Sequence, residues 1–325
     1  MSEVQPRWLR RVRDLVLSVR WFGGAYGDSR FVANFVGAEP PADYLAELGE
    51  LGAEVRVVES VDTRFPLINK LRMLELDQET DFDVLVGLDC DLVVVDDFSA
   101  AVPASSIGAK PADYDLFSDR EWRRLYETAG LRPPPKALRA TSSGAAIGPY
   151  FNTGVVTVPK ELCGELRRHW GDRHRELMAL LARDPHSIRP DLHAYVWDQV
   201  AFALALATAR LPWAALPVGM NFPCKVPVHR SALLDSPKPM ILHHHGRVEQ
   251  DGFLRRPRSP AAIDAAKRFN AVRAERLALP YAGLRRKPAR TTKKRLRDRL
   301  RRIRARGSRH LGRLRDLAGR RPTES

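Results

Sequence analysis

Two aspartates separated by one residue, Asp89 and Asp91, directly follow an apolar segment at 84–88 that has the composition of a buried strand. Open α/β sheets bind ligands beyond the carboxyl ends of their strands, and this position places both carboxylates there. Two carboxylates at such an edge can hold one Mg²⁺ or Mn²⁺, which in turn can clamp a diphosphate. Asp81 and Asp83 have the same spacing but precede the strand, so we expect them only to solvate its start.

The first half of the chain alternates strand-like and helix-like segments, and these elements must position the carboxylates. The continuous apolar pattern at 84–88 is typical of a buried parallel strand. The β-α-β order predicts an open α/β sheet, mixed or parallel, with flanking helices and right-handed crossovers. The predicted strands are 15–22, 31–36, 53–58 and 84–88, and the predicted helices are 41–51 and 69–76.

The second half of the chain shows no internal repeat and is predicted to complete the same domain. Helical periodicity and apolar strand-like runs alternate less regularly there. The predicted helices are 120–130, 160–183, 198–209 and 261–277, and the predicted strands are 154–158, 213–218 and 240–244.

The positive charge of the protein is concentrated at the end of the chain. Residues 284–325 contain 18 of the 54 Lys and Arg residues and 3 of the 39 Asp and Glu residues. The formal net charge of +15 therefore belongs to this tail, and the rest of the chain is neutral. We predict a domain at 1–283 and a basic tail at 284–325. A neutral domain argues against extensive contacts with nucleic acid outside the tail.

Apolar residues of the tail recur at steps of three and four, which places them on one face of a helix whose other faces are mostly Arg and Lys. This pattern predicts a basic amphipathic helix in the headgroup region of an anionic membrane. The alternative is a disordered tail that binds any polyanion, nucleic acid included. Replacing apolar residues with Ser at constant charge separates the two, because only the membrane helix needs them. The residues to replace are Leu300, Ile303, Leu311 and Leu314.

Cysteine content and hydropathy indicate the compartment. Cys90, Cys163 and Cys224 are too few and too scattered for a disulfide framework or a zinc cluster, which favours a reducing compartment. The arginines near residue 10 are not followed by a long apolar stretch, so no secretory signal is predicted. The longest apolar run, 200–207, is far shorter than the ~20 residues that a membrane-spanning helix needs. We expect a cytoplasmic protein whose tail associates peripherally with the inner face of the membrane.

The chain resembles the glycosyltransferases with the GT-A fold, and among them the glycogenin-like family 8 transferases, through five segments in the same order. They correspond to a helix near the donor, the metal-binding Asp-x-Asp motif, the F-N-[AST]-G segment, the D-Q pair, and the late H-x-x-G segment whose His completes the metal site. The resemblance covers residues 15–250. In this sequence the segments are Asn69-Lys70-Leu71-Arg72, Asp89-Cys90-Asp91, Tyr150-Phe151-Asn152-Thr153-Gly154, Asp198-Gln199 and His243-His244-His245-Gly246.

The resemblance implies a hexosyltransferase-like enzyme that moves a sugar from a nucleotide-diphosphate sugar to an acceptor, with Mn²⁺ or Mg²⁺ as cofactor. The acceptor can be a glycan, a lipid or a protein. Retention at the anomeric carbon is also implied, but Asp198 could serve as the base of an inverting enzyme, so both outcomes stay open. The implied metal ligands are Asp89, Asp91 and His243, the implied catalytic residues are Asp198 and Gln199, and the implied substrate-binding residues are Lys70, Asn152, Gly154 and Arg247.

Two segments depart from the family pattern and make the chain a divergent relative. The family's Lys-Pro-Trp after the H-x-x-G segment is replaced by Arg247-Val248-Glu249, so we expect Arg247 to contact the donor phosphates. The family's first strand ends in an acidic residue that recognises uracil, whereas the segment at 18–21 is Ser-Val-Arg-Trp. The base of the donor is therefore left open.

Each candidate site residue also has an ordinary structural interpretation. Asn152 would form a turn that leads into the next strand, and Asp198 would be the N-cap of its helix. Lys70 would be a solvated helix residue. The three histidines would be an exposed strand end, along which His243 and His245 share one face.

Two other classes of protein remain as alternatives. A sugar nucleotidyltransferase also has an α/β sheet and a metal-binding carboxylate pair, but the Gly-rich loop at 23–27 lacks the Lys expected there. A non-enzymatic protein that binds nucleic acid or another polyanion would act through the basic tail alone. Metal-dependent release of free nucleotide from a nucleotide sugar separates the glycosyltransferase from both.

Overall fold

The computed structural model describes residues 4–184, 196–235 and 238–284 of the 325-residue chain. These residues form strands and flanking helices, which confirms the predicted α/β class. The α-helices are α1 Pro6–Phe22, α2 Ala42–Glu50, α3 Asp119–Glu127, α4 Lys160–Arg183, α5 Trp197–Ala209, α6 Arg230–Asp235 and α7 Ile263–Arg276. The strands are β1 Phe31–Val36, β2 Ala53–Val58, β3 Val84–Leu88, β4 Leu92–Val94, β5 Ile107–Pro111, β6 Leu138–Arg139, β7 Ala146–Ile147, β8 Phe151–Pro159, β9 Trp213–Ala215, β10 Phe222–Pro223 and β11 Ile241–His243.

The first predicted strand is wrong, because residues 15–22 form the second half of the helix α1. Its buried residues Val12, Leu15 and Val19 are three and four positions apart, which is the spacing of one helix face. Pro6 occupies the first helical position, where the missing N–H of proline would have no partner in any case. A short apolar run does not by itself distinguish a strand from a buried helix segment.

β1, α2 and β2 form the predicted parallel β-α-β unit. β1 pairs with β2 in parallel along all six of its residues. The helix α2 covers this pair through Tyr44 and Leu48, which belong to the same hydrophobic cluster as Phe35 of β1. These two strands form a sheet of their own, so β1 has only one partner strand among the described residues.

The largest sheet among the described residues has four strands in the order β3-β8-β5-β9. The prediction that β3 is a parallel strand is wrong, because β3 pairs antiparallel with β8, with Val84 opposite Pro159 and Leu88 opposite Val155. An unbroken apolar pattern indicates that both faces of a strand are covered and carries no information about its direction. Like β1, β3 is the terminal strand of its sheet.

A second sheet has three strands in the order β10-β11-β4. β11 pairs antiparallel with β4 and parallel with β10. Residues 89–91 connect β3 of the four-stranded sheet to β4 of the three-stranded sheet. Asp89 therefore follows a strand of one sheet, and Asp91 precedes a strand of the other.

The remaining predicted elements are found within about three residues of their expected ends. The predicted helix at 69–76 is a 13-residue 3₁₀ segment, Pro66–Gln78, which packs against α4. Runs of 3₁₀ helix longer than four residues are uncommon, and this one carries Lys70. The confirmed helices are α3, α4, α5 and α7, and the confirmed late strands are β8, β9 and β11.

A buried ion pair connects the first helix to the last described one. Nη1 of Arg273 in α7 lies 2.7 Å from Oδ1 of Asp14 in α1, and both side chains are less than one-tenth exposed. Arg273 also donates through Nε to the carbonyl oxygen of Asp251. The carboxylate of Asp14 is thus buried together with its counter-charge.

Within the described residues, no helix combines the length and the apolar character that crossing a membrane requires. The predicted amphipathic tail at 284–325 lies, except for Leu284, outside the described residues. Its helical form and its membrane binding stay predictions.

Candidate metal and donor site

Three predicted metal ligands meet at the ends of three strands. Asp89 follows β3, Asp91 precedes β4, and His243 is the last residue of β11. One ligand atom from each residue can be chosen so that all three lie within 4.8 Å of one another. Nε2 of His243 is 3.0 Å from Oδ1 of Asp91. The residues that carry the Asp-x-Asp and H-x-x-G segments are therefore neighbours in space.

A chain of amides orients the imidazole of His243. Its Nδ1 lies 2.9 Å from Oδ1 of Asn221, and Nδ2 of Asn221 donates to Oδ1 of Asn152 at 3.0 Å. With Nδ1 as the donor to Asn221, Nε2 is the nitrogen that faces Asp91, and once it is unprotonated it can ligate a metal ion. Asn152 lies inside β8, so the interpretation of Asn152 as a turn residue is wrong.

Gly154 provides the space that the ring of His243 occupies. A Cβ atom at this position would lie 2.9 Å from Cε1 and 3.0 Å from Nδ1 of His243. The carbonyl oxygen of Gly154 also accepts a 2.8 Å hydrogen bond from the backbone N–H of Asp89. Gly154 thus positions two of the three predicted metal ligands, and a contact with substrate stays a prediction.

The histidines after His243 do not continue the strand. His245 has a left-handed backbone, with φ of 49°, and its ring stacks on that of His243 with 3.7 Å between the centroids. His244 is buried, and burial lowers the pKa of its imidazole to about 3. Burial likewise lowers the pKa of His245 to about 4. The exposed polar strand end considered from the sequence is therefore wrong.

Lys70 is a buried cation between two carboxylates. Its Nζ lies 3.1 Å from the carboxylate of Asp89 and 3.2 Å from Oδ2 of Asp198. It also donates to Oγ1 and to the carbonyl oxygen of Thr153, both at 3.1 Å. Although burial opposes its charge, the two carboxylates outweigh burial and raise the pKa of Lys70. Lys70 is therefore not a solvated helix residue.

Asp198 lies inside its helix and does not cap it. The helix α5 begins at Trp197, and its N-cap is Val196, so the interpretation of Asp198 as an N-cap is wrong. Oδ2 of Asp198 accepts from Lys70 and, at 2.7 Å, from the hydroxyl of Thr153. Oδ1 is buried and has no hydrogen-bond partner among the described residues. The neighbouring Gln199 is half-buried.

The charges of Asp91 and His243 support each other. Burial favours the neutral form of Asp91, but the neighbouring imidazolium of His243 outweighs it and holds the pKa of this carboxyl well below its usual range. Burial also disfavours the charge on His243, and Asp91 outweighs it and raises the pKa of His243. In this arrangement a proton on His243 occupies the place that a metal ion would take.

These residues fit a divalent cation. Two carboxylates and one oriented imidazole form a donor set that accommodates Mn²⁺, and a site with three protein ligands leaves positions for phosphate oxygens. Asn221 sets the tautomer of His243 that ligation needs. The predicted ligand set is therefore compatible with the geometry.

Arg247 follows the cluster, but its side chain is directed toward another loop. Its Nη2 donates to the carbonyl oxygen of Arg256 at 2.7 Å. A second arginine, Arg11 of α1, reaches the same turn, because a Cβ atom on Gly246 would lie 3.0 Å from its Nη2. The ring of Trp8 lies 4.3 Å from the guanidinium of Arg11 and helps to hold it. Arg11 was not among the site residues predicted from the sequence.

A second buried lysine lies beside the site and was also missed. Lys110 of β5 is opposite Asn152 in the sheet, and its Nζ donates to Oδ1 of Asp113 at 2.7 Å and to Oγ1 of Thr141 at 2.8 Å. Burial raises the pKa of Asp113, but the ammonium of Lys110 outweighs it and lowers that pKa, with a contribution from His245. The sequence around Lys110 does not reveal this group. Asp113 is only three positions away, but Thr141 is 31 positions away and reaches Lys110 only in the folded chain.

The second Asp-x-Asp string is separate from the cluster, as expected. Asp81 is exposed and pairs with Lys160. Asp83 is exposed as well, and its carbonyl oxygen accepts from the backbone N–H of Lys160 at 3.0 Å. These residues precede β3, at the end opposite to Asp89.

The sequence model of the Rhodobacterales glycosyltransferase domain matches residues 37–210, which is more than half of the chain. The match includes both aspartates of the cluster, Lys70, Asn152 and Asp198, and it favours a glycosyltransferase over the two alternative classes of protein. No curated protein is similar enough in sequence to match the chain.

Several solved glycosyltransferase structures are similar to the chain. The galactosyltransferase LgtC in complex with donor and acceptor sugar analogues has 17% sequence identity and a TM-score of 0.46, over 84% of this chain and 94% of that chain. Mouse xyloside xylosyltransferase 1 has 17% identity and a TM-score of 0.41, over 75% of this chain and 93% of that chain. The glycosyltransferase GlyE of Streptococcus pneumoniae has 14% identity and a TM-score of 0.44, over 85% of this chain and 63% of that chain.

Proposed function

The chain belongs to the Rhodobacterales glycosyltransferase domain family, and we propose that it is a metal-dependent, GT-A-type glycosyltransferase that takes its sugar from a nucleotide-diphosphate donor. The observation that carries this proposal is the cluster of Asp89, Asp91 and His243, whose ligand atoms lie within 4.8 Å of one another. Mn²⁺ or Mg²⁺ held by these residues would supply positive charge to the donor phosphates and to the departing nucleotide diphosphate.

Asp198 and Gln199 would face the sugar. Oδ2 of Asp198 accepts hydrogen bonds from Lys70 and Thr153, while Oδ1 has no partner among the described residues. A carboxylate beside the anomeric carbon would stabilise the positive charge that develops there. We propose transfer with retention, in which Asp198 has this electrostatic role and is not a general base.

The donor is proposed to contact three further side chains, those of Asn152, Arg247 and Arg11. Oδ1 of Asn152 accepts from Asn221 and from the backbone N–H of Gly154, so the amide is fixed beside the ligands of the metal. Arg11 lies at the turn next to Gly246, where a guanidinium can compensate phosphate charge. We propose Arg11 as a phosphate contact in addition to Arg247, which the sequence predicted.

Asp113 is proposed to bind a hydroxyl group of the acceptor. Its Oδ1 accepts from Lys110 and Thr141, and its side chain is partly exposed. Its partner Lys110 lies opposite Asn152 in the sheet, which places Asp113 near the cluster. A fixed carboxylate at the rim of a sugar site is a common acceptor for hydroxyl hydrogen bonds.

The proposal is tested with a panel of nucleotide sugars, scored by Mn²⁺-dependent release of free nucleotide. We expect Asp89→Ala and Asp91→Ala each to lower the rate at least about a hundredfold. Asp83→Ala is the matched control, because Asp83 has the same spacing but lies before β3, and its rate should stay within about twofold of that of the unmodified chain. Essential Asp83 together with a dispensable Asp91 would show that the site is misplaced.

A further inference from the structure

A cavity of about 510 Å³ lies between β1 and β3. Its two long walls are formed by residues 31–34 of β1 and residues 84–88 of β3. The helix α1 covers the cavity with Val12, Leu15 and Val19. β1 and β3 are not paired with each other, and the described residues place no strand between them. The cavity therefore has the form of a slot bounded by two strand edges.

Both walls of the slot carry backbone hydrogen-bonding groups. A strand directs N–H and C=O groups to both of its sides. β1 uses one side for β2, and β3 uses one side for β8, so the groups on the other sides point into the slot. Buried backbone groups of this kind require partners. An acyl chain or an aromatic ring would leave them unpaired, whereas an extended peptide pairs along both walls.

The two walls run in the same direction. Cys90, which lies just beyond the end of β3, belongs to one hydrophobic cluster with Ala33 and Phe35 of β1. Phe35 is the last residue but one of β1, so both strands end at the same end of the slot. One inserted strand would pair in the same sense with both walls. It would join the two-stranded and four-stranded sheets into one continuous sheet of seven strands.

We propose that this slot binds one extended peptide segment as an inserted β-strand. β1 has six residues and β3 has five, so the paired part of the segment is five or six residues long. The segment is apolar and rich in β-branched residues, because α1 lines one face of the slot and Met73 and Leu76 line it as well. Asp89 and Cys90 line the same cavity, so one end of the bound strand borders the candidate metal site. The inference does not depend on glycosyl transfer.

The experiment uses the full chain and an end-blocked nine-residue peptide, Lys-Thr-Val-Ile-Ala-Val-Val-Thr-Lys, whose lysines keep it soluble. Amide hydrogen exchange is measured in residues 31–36 and 84–88 as peptide is added. At a peptide concentration ten times the Kd, we expect exchange of the amides that face the slot to slow about tenfold, because binding to the folded state suppresses opening by that factor. Residues 53–58 of β2 do not border the slot, and their exchange should be unchanged.

Two further probes distinguish an inserted strand from a hydrophobic filler. The same peptide N-methylated at every second residue keeps its side chains but loses the donors along one edge, and it should give no protection. Lauric acid probes the slot for an acyl chain. The proposal is overturned if peptide at up to 1 mM, a concentration of about the weakest useful affinity, does not slow exchange. It is also overturned if the N-methylated peptide or lauric acid slows exchange equally.

Discussion

Replacing Lys70 by Met should destabilise the fold by about 3 kcal/mol at neutral pH, because the buried carboxylate of Asp198 and the partly exposed carboxylate of Asp89 lose their shared cation. Nζ of Lys70 is 3.1 Å from Asp89 and 3.2 Å from Asp198. The side chain of Lys70 is 10% exposed and that of Asp198 is 2% exposed, so water replaces little of the interaction with Asp198. The side chain of Asp89 is 27% exposed, so water replaces part of the interaction there. Met retains most of the aliphatic length of Lys, and the substitution therefore isolates the charge.

The pH dependence of this contribution follows from the direction of the pKa shift. Burial opposes the charge on Lys70, but Asp89 and Asp198 outweigh it and raise its pKa above the usual 10.5. A raised lysine pKa contributes stability that is complete below about pH 10 and is lost only as the pH rises through the folded-state value. The difference in the free energy of unfolding between Lys70→Met and the unmodified chain should therefore stay constant from pH 6 to pH 9.

The assay is urea unfolding followed by circular dichroism at pH 7, in EDTA and again in 1 mM Mn²⁺. We expect Mn²⁺ to stabilise Lys70→Met more than the unmodified chain, because the ion restores positive charge beside Asp89. Lys267→Met is the matched control, since Lys267 is 58% exposed in its pair with Asp264, and it should change stability by no more than about 0.5 kcal/mol.

A double variant separates the carboxylates. Lys70→Met with Asp198→Asn removes one of the two uncompensated charges and should recover part of the loss. The free energy of unfolding of Lys70→Met in EDTA could lie within about 1 kcal/mol of that of the unmodified chain. The two carboxylates would then not depend on this ammonium, and the described role of Lys70 would be wrong.

Three further substitutions test other parts of the structure. Asp198→Asn should lower kcat at least about a hundredfold in donor turnover measured well below the Tm of the variant, and it should also lower Tm because buried Lys70 loses one of its two carboxylates; full activity would exclude Asp198 from the reaction. Gly154→Ala should displace the ring of His243, whose Cε1 would be 2.9 Å from the new Cβ, and weaken Mn²⁺ binding about tenfold by calorimetry. Its control is Gly49→Ala, which has no atom within 4 Å of the added Cβ and lies in α2; equal affinities of both variants would contradict the steric argument. Arg273→Leu should cost about 3 kcal/mol in urea unfolding because Asp14 stays buried without its partner, and Asp14→Asn added to it should recover most of the loss; an unrecovered double variant would mean that packing, not charge, is responsible.

The residues that the sequence analysis identified are those whose neighbours along the chain reveal their position. Asp89 and Asp91 could be placed at a sheet edge because a five-residue apolar strand precedes them. His243 could be singled out because Gly246 follows three residues later. In both cases a local pattern determines the local geometry, and the folded chain brings the two patterns together.

The residues that the analysis missed act through contacts between distant segments. Asn221 orients His243 from 22 positions away, and nothing around it in the chain distinguishes it from any other asparagine. Lys110 pairs with Asp113 on one side and Thr141 on the other, so its role exists only in the folded sheet. Arg11 reaches the turn after His243 because α1 is a helix, and the incorrect strand at 15–22 concealed this.

Errors in the predicted fold have the same physical origin. An apolar run indicates burial, whereas the direction of β3 depends on β8, which is more than 60 residues further along the chain. Likewise the apolar run in α1 indicates a buried segment, and the helical alternative becomes clear only when residues on both sides of the run are included. Burial was therefore predicted correctly in both elements. The direction of β3 and the helical form of α1 were not.

The short connection between Asp89 and Asp91 has a mechanical consequence. Asp89 extends from β3 of the four-stranded sheet, while Asp91 and His243 are attached to β4 and β11 of the three-stranded sheet. An ion bound to all three residues would cross-link the two sheets, which already share one hydrophobic cluster. Thermal unfolding should therefore occur at a higher temperature when the site is loaded. The connection between the two sheets would therefore be more rigid while the ion and the donor are bound, and less rigid after the nucleotide and the ion leave.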